Sequence, residues 1–442
     1  MARGQPFWTN KREPSFPLDG MLDESITRQI LPFRRSPIDW PPVGGVGAVD
    51  PVVDANSNYE MVSSGITSPN LGIFTDYLFC PGCLTGTTQS SEAFAQVLVR
   101  QACTIEKLAV RVTANTGGTH TIRTRKNGVN GNLVVTIGAN GTGWFRDDTN
   151  VDTLAAGDLY AIQCAGGVGA ITVPLIGLVR KNTNGDGLWL VSTSLLTAGE
   201  AFDNVATYYV PVMGRCFPTV TEADARYKCR DNTTISNMRV YVVTNTAVGD
   251  TTVRFRRNGA NGAQVLTIAG GATGSFEDTT NSDRVLSTDT INYSVVVPNG
   301  LVRFSIFQSP GTACRQPMAA MSPGAIVTAA NVYVPIYGNA GVNVSTNEAD
   351  AEMVARTKFT ASRMFVYVPT NASTGTTRVY FRRNRVSTPL SVSIGAGATG
   401  IFEDTTNSVV VNAENTYDCF INHGGGAAIS ITAIAVMTKP TA

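Results

Sequence analysis

The sequence predicts an all-β protein: three tandem antiparallel β-sandwiches of jelly-roll type behind an extended N-terminal arm. Three observations carry that expectation. Of 442 residues only 15% are charged, against about 25% in ordinary globular domains, and Gly reaches 43. One block of sequence occurs three times. Inside it hydrophobicity alternates with a period of two, as in strands that have one apolar and one polar face.

Arg125-Lys126-Asn127-Gly128, Leu133 to Ile137 and Thr142-Gly143-Trp144-Phe145-Arg146-Asp147 form the first copy of the block. They recur as Arg256-Arg257-Asn258-Gly259, Gln264 to Ile268 and Thr273-Gly274-Ser275-Phe276-Glu277-Asp278. A third copy reads Arg382-Arg383-Asn384, Leu390 to Ile394 and Thr399-Gly400-Ile401-Phe402-Glu403-Asp404. A spacing of about 130 positions is too long for a solenoid unit and suits a complete domain. The expected organisation is an arm over 1–70 and sandwiches over 71–186, 187–319 and 320–442.

In the arm, Pro6, Pro14, Pro17, Pro32, Pro37, Pro41, Pro42 and Pro51 interrupt any long element, and only Leu18 to Leu31 offers a short helix. Phe7, Trp8, Phe16, Ile30, Phe33 and Trp40 are too apolar for a solvated linker, so the arm is expected to dock on a partner. Each copy then opens on a related strand, Tyr209-Val210-Pro211-Val212 in the second, Tyr333-Val334-Pro335-Ile336 in the third and, more weakly, Tyr77-Leu78-Phe79 in the first. Val253 and Phe255 alternate with Arg254 and Arg256, and Leu266 and Ile268 continue the pattern beyond Asn258-Gly259, a pair that takes positive φ cheaply. Further strands fit Val240 to Val243, Ile291 to Val297 and Leu301 to Phe307, and no amphipathic helix is expected. Arg385 stands where the other copies have the turn Gly, which suggests a different loop there.

Net charge is +1, so no global positive field would gather a nucleic-acid backbone. The first ten residues lack an apolar signal core and no stretch approaches the ~18 apolar residues of a membrane span, which disfavours a secreted or membrane-anchored protein. Two histidines, His120 and His423, leave little material for a catalytic triad or a His-based metal centre, and both read as loop or surface residues. The acidic motif Phe276 to Asn281, with its copies Phe145 to Asn150 and Phe402 to Asn407, fits a turn better than a catalytic pair, because adjacent carboxylates on a strand face opposite ways. It also has too few oxygens for calcium. Arg254, Arg256, Arg257, Arg378, Arg382, Arg383 and Arg385 are expected to bridge to those acids on the sandwich exterior.

Cys80-Pro81-Gly82-Cys83 lacks the second close pair a zinc site needs. With Cys103 and Cys164 in the same copy, buried thiols or local disulfides are expected. No catalytic residue, metal or cofactor is expected.

The block Arg-x-Arg-Arg-Asn-Gly, an alternating strand ending in Thr-Ile, and Gly-Ala-Thr-Gly-x-Phe-Glu-Asp-Thr-Thr-Asn-Ser resembles repeats common in structural proteins of tailed bacteriophages. It is carried by Arg254 to Val285, Tyr380 to Val411 and, less closely, Arg123 to Leu154. The resemblance implies a virion part made in the host cytoplasm: a tail or collar fibre, a spike or a capsid decoration, contacting other virion proteins and often trimeric. An alternative places a receptor- or host-glycan-binding surface on the third copy, at Tyr380, Arg385, Asn422 and His423. A polysaccharide depolymerase is a further alternative, disfavoured because threefold copying of Asp147, Asp278 and Asp404 lacks the asymmetry of an acid–base pair.

Overall fold

The computed structural model describes residues 59–65, 76–78, 82–83, 91–183, 188–193, 201–216, 218–312, 316–336 and 344–440. Each copy folds into two main sheets, antiparallel apart from a short parallel edge pair in copies one and two, that close on an apolar core. In the third copy one sheet runs Gln316–Thr328, Gly426–Pro440, Phe359–Val368, Gly400–Val411, and the other Val332–Val334, Thr416–Asn422, Thr377–Arg383, Val386–Ile394. In chain order the first strand therefore lies beside the last, and the second beside the one before the last. This is the strand order of a jelly roll. The other two copies repeat it, with the pairs Tyr59–Gly65 to Leu175–Asn182 and Leu188–Thr193 to Leu301–Gly311 closing their first sheets.

Those closing pairs move the expected boundaries. Tyr59–Gly65 belongs to a sheet of the first sandwich rather than to an arm reaching residue 70, and Gln316–Thr328 begins before residue 320. The expected opening strands fall in matching places: Asp76–Leu78, Tyr208–Val210 and Val332–Val334 each pair with the second-last strand of their copy. A helix was not expected, yet one-turn helices stand at Glu92–Ala95 and Glu222–Ala225, with a 3-10 turn at Glu348–Asp350 in the same place. At one turn they are too short to leave a periodicity in sequence.

Alternation sets the core. Val253 and Phe255 are fully buried and Arg254 and Arg256 are not, and the rule repeats at Val379 and Phe381. The hairpin turn is tight: Arg257 pairs with Ala260 and leaves only Asn258 (φ 52°) and Gly259 (φ 79°) in it. Both positive φ values mark a type I′ turn, whose twist matches that of the strands. The third copy keeps the same turn: Asn384 has φ 50° and Arg385 φ 64°, so the different loop expected there does not occur. A Cβ at Gly259 would come 2.8 Å from the Arg226 guanidinium. In the third copy that arginine is replaced by Glu352, and Arg385 bonds it through Nε and Nη2, both at 2.8 Å.

The three sandwiches close into a ring. Arg100, Arg230 and Arg356 occupy equivalent positions, three residues before a long strand of their copy. Arg100 pairs with Glu277 of copy two, and Arg230 with Glu403 of copy three. Copy three returns to copy one, where Arg356 pairs with Asp148 and exchanges backbone-directed hydrogen bonds with Lys107. Apolar contacts follow the same order, as in Phe94 against Tyr241 and Tyr227 edge-on to Phe365 at 5.7 Å. The third seam differs in charge: copy one has Arg146 where the others have Glu277 and Glu403. Glu414 lies between the two cations, bonded to Arg146 and, at 2.9 Å, to Arg356.

Replacing Glu414 by Ala is expected to cost about 1 kcal/mol, because it leaves two guanidiniums facing each other at a partly exposed site. Adding Arg146→Glu restores the arrangement of the other seams and is expected to recover that loss. Denaturant unfolding of the four proteins of the cycle measures this, and additivity within ~0.3 kcal/mol would show the two positions to be uncoupled.

Candidate functional site

The repeated aspartates clamp the corner where the chain passes from one sheet of a copy to the other. Asp278 Oδ2 accepts from Val265 N at 2.9 Å, and Oδ1 accepts from Thr280 N at 3.1 Å and Asn281 N at 3.0 Å. Asp147 takes the same bonds from Val134, Thr149 and Asn150, and Asp404 from Ser391, Thr406 and Asn407. Each carboxylate thus ties its own turn, in one sheet, to the preceding strand, in the other. Burial alone would raise these carboxyls, but the donated hydrogen bonds outweigh it and hold Asp147 and Asp278 down to about 2. Asp404 is lowered for the same reason.

The arginines do not bridge to these acids as the sequence suggested. Arg125, Arg256 and Arg382 instead meet Glu92, Glu222 and Glu348 on the one-turn elements. Arg256 reaches Glu222 through Nε at 3.0 Å and Nη2 at 3.2 Å, a two-point match that only a planar guanidinium makes. Each of these arginines also bonds the carbonyl of its hairpin turn. The motif's glutamates, Glu277 and Glu403, go across the seams. The partners lie 33 or 34 residues upstream, beyond the reach of a local pattern, although the identical runs Glu222-Ala223-Asp224-Ala225 and Glu348-Ala349-Asp350-Ala351 are a repeat signal that points to them.

Among the described residues one charge cluster stands apart, in the third copy. Glu348, Glu352 and Asp418 bring one carboxyl oxygen each within 4.8 Å of one another. Arg382 holds Glu348, and Arg385 holds Glu352, whose Oε1 also accepts from Thr416 Oγ1 at 3.1 Å. Neither Asp418 oxygen receives a hydrogen bond, and its nearest guanidinium nitrogen, Arg382 Nε, is 3.9 Å away. Burial first, then the Glu348 charge, pushes the Asp418 carboxyl up to about 8, while Glu352 is lowered by Arg385. A raised carboxyl beside a lowered one is the pairing used in acid–base catalysis. Here Asp418 is 1% exposed, so no substrate reaches it. Two guanidiniums already occupy the glutamates, which makes this a poor cage for a metal ion.

Of the residues singled out for recognition, Tyr380 stacks on Phe420 at 6.4 Å, and Phe420 stacks on Tyr333 at 4.9 Å. The row occurs only in copy three, since copy two has Arg254 and Ser294 at the positions of Tyr380 and Phe420. The rings face one another, and the Arg382 guanidinium covers Tyr333 and Phe420. Tyr380 receives a hydrogen bond from Arg378 at 3.4 Å. Asn422 is exposed at a strand end, and His423 in the following loop lies 3.1 Å from the Ala427 carbonyl. Arg385 is paired with Glu352, and its side chain remains 61% exposed.

His120 is not the loop or surface residue expected: it begins a strand, is fully buried, and its imidazole is driven toward the neutral form by burial. Thr251 and Thr377 stand at the matching positions. Cys103 and Cys164 are buried core residues of copy one. Cys80 lies outside the described residues, and of Cys83 only the backbone, in Gly82–Cys83, is described. Phe7, Trp8, Phe16, Ile30, Phe33 and Trp40 also lie outside them. Among the described residues no helix is long and apolar enough to cross a membrane.

No protein-family model and no curated protein matches the chain. Among solved structures, dimeric latent PorU from Porphyromonas gingivalis is similar at 9% identity and a TM-score of 0.21. The alignment covers 74% of this chain and 33% of that one. At that TM-score the likeness bears on neither fold nor function.

The clamps have a pH signature. A depressed native pKa adds stability above the unfolded value of 3.8, and that stability is lost as pH falls toward about 2. Asp278→Asn is expected to cost about 2 kcal/mol near neutral pH, through lost charge-assisted hydrogen bonds, and to flatten the acid limb of the stability curve between about pH 4 and 2. Urea melts at several pH values check both, and an unchanged acid limb would remove Asp278 as a clamp.

Proposed function

We propose that this protein is a non-enzymatic structural component of a bacteriophage virion, with the ring of jelly rolls as its body and the N-terminal arm as its attachment to other virion proteins. The observation that supports it most is the closed ring, in which the repeated charges bond turns, neighbouring strands and neighbouring copies rather than lining a cleft. Jelly rolls recur in viral capsid and lectin domains, although a fold by itself does not assign a function. The resemblance of the repeated block to tailed-phage structural repeats favours the capsid side of that choice. Copies set side by side in a ring suit a decoration or collar part better than a fibre, whose repeats run end to end. A closed heterologous ring also satisfies its seams within one chain, so further copies would associate through other surfaces. On this reading the protein assembles in the host cytoplasm, ends in the virion, and uses no cofactor, nucleic acid or membrane.

The arm is the part to remove. A chain lacking residues 1–52 is expected to melt like the full chain, because Val53–Ala442 forms a compact unit, and to be missing from purified particles. Incorporation at the full-length level would overturn the docking role.

A second reading, host-glycan binding by copy three, is favoured by the aromatic row that the other copies lack. The outer face of Tyr380, with Asn422 beside Arg378 in register and the exposed Arg385 side chain, would face a sugar. Tyr380→Ala is then expected to weaken adsorption of the full chain to host cells at least tenfold, the ~1–2 kcal/mol of one aromatic contact. Equal adsorption by both proteins would leave the body as a passive scaffold.

A further inference from the structure

We propose that the seam between the third and first copies is a proton-operated latch, which Asp418 holds shut while protonated and which loosens when that proton leaves. The mechanical link is short. Glu348 and Glu352 face Asp418 from the segment 347–356. Met353 and Val354 follow at once, paired with Tyr417 and Thr416. Arg356 then crosses to Asp148 and Lys107 of copy one. Any repulsion between Asp418 and the two glutamates therefore acts on the segment that closes the ring.

The local charges call for a proton. Arg382 and Arg385 face three carboxyls. Around them stand Tyr333 beneath Arg382, the buried Cys419 thiol, itself raised by burial, and Arg111 of copy one, whose field reaches Glu352. A buried carboxylate without a donor is costly, whereas a carboxylic acid donates to a neighbour, and Glu348 offers the acceptor. One proton brings the cluster of Asp418, Glu348, Glu352, Arg382 and Arg385 to neutrality. A divalent cation would leave it positive.

Two further observations single out this seam. Copies one and two have Ala161 and Asn292 in place of Asp418, so their seams hold no such group. The third seam is also the one with Arg146 in place of a glutamate, and it encloses an apolar cavity of about 10 Å³ between Trp144, Leu175 and Leu178 on one side and Met353, Val354 and Tyr417 on the other. That is room for about one water, at a place where the packing is already open.

In the open form Asp418 is solvated and titrates near its ordinary 3.8, while the closed form keeps its proton up to about 8. The closed form is thus favoured fully below the lower value, loses ground as pH rises, and has lost the proton's contribution above the upper one.

Hydrogen exchange of the full chain, corrected for intrinsic rates, tests this by comparing segments 347–356 and 144–148 with 222–230 and 275–279 of other seams. The protection ratio of the first set to the second is expected to fall at least tenfold between about pH 5 and 9. Asp418→Asn, which copies Asn292, should abolish the fall and keep the seam protected at about pH 9. A flat ratio in the natural chain, or an equal fall in the variant, overturns the latch. Protection restored at high pH by millimolar calcium or magnesium also overturns it, because the site would then hold a metal. If the variant fails to fold, the ratio in the natural chain decides alone.

Discussion

The guanidinium carried by each copy ahead of its long strand, at Arg100, Arg230 and Arg356, is the contact on which the arrangement of the three sandwiches depends. It leaves its own sandwich and is desolvated against the next; Arg230 and Arg356 are 5% and 3% exposed. Such a cation needs both a carboxylate and neutral acceptors. Equivalent β-bulges, with Lys107, Asn237 and Arg363 at positive φ, supply part of that need through carbonyls at the bulged residue or the one after it. Arg100 bonds the carbonyl of Asn237, Arg230 that of Met364, and Arg356 that of Lys107. The bulge turns strand carbonyls outward, where they would otherwise be spent in the ladder. A buried pair of this kind adds less to stability than to register, since an arginine set down elsewhere would be buried without partners.

Around that contact the remaining charges sort by range. Aspartates in the repeated motif bond between consecutive strands of the two sheets, the glutamates of the one-turn elements bond the arginine strand of the same copy, and the motif's glutamates bond the next copy. This explains how a chain with only 15% charged residues shows ion pairs at every level of its architecture. The apolar side of the seams is equally shared. Ile306 of copy two packs into the core of copy one, and Leu175 of copy one into the core spanning copies two and three. Cores that merge in this way couple the stability of the copies, so loss of one is felt by its neighbours.

Copies one and three depart from the pattern at a few positions, two of them matched by a compensating partner. Arg385 fills the space that a Gly leaves beside Arg226 in copy two, and the partner changes with it from Arg226 to Glu352. Arg146 would face Arg356 as a like charge, and Glu414 stands between them. Asp418 has no such compensation among donors. The departures gather where the ring must close, at the seam between the last copy and the first.

The strands, their facing and the number of sandwiches were legible in the residues themselves, because period-two burial and turn chemistry at Asn127-Gly128 and Asn258-Gly259 act over a few neighbouring positions. The turn role of Asp147, Asp278 and Asp404 was legible for the same reason. Much else was not. Which glutamate meets Arg256, where Tyr59–Gly65 belongs, and why His120 is buried depend on segments tens of residues apart, brought together only when the two sheets close. The ring is more remote still: nothing in the local pattern around Arg100, Arg230 or Arg356 distinguishes a surface cation from one that crosses a seam. That distinction arises from desolvation, and desolvation exists only once the neighbouring copy is in place.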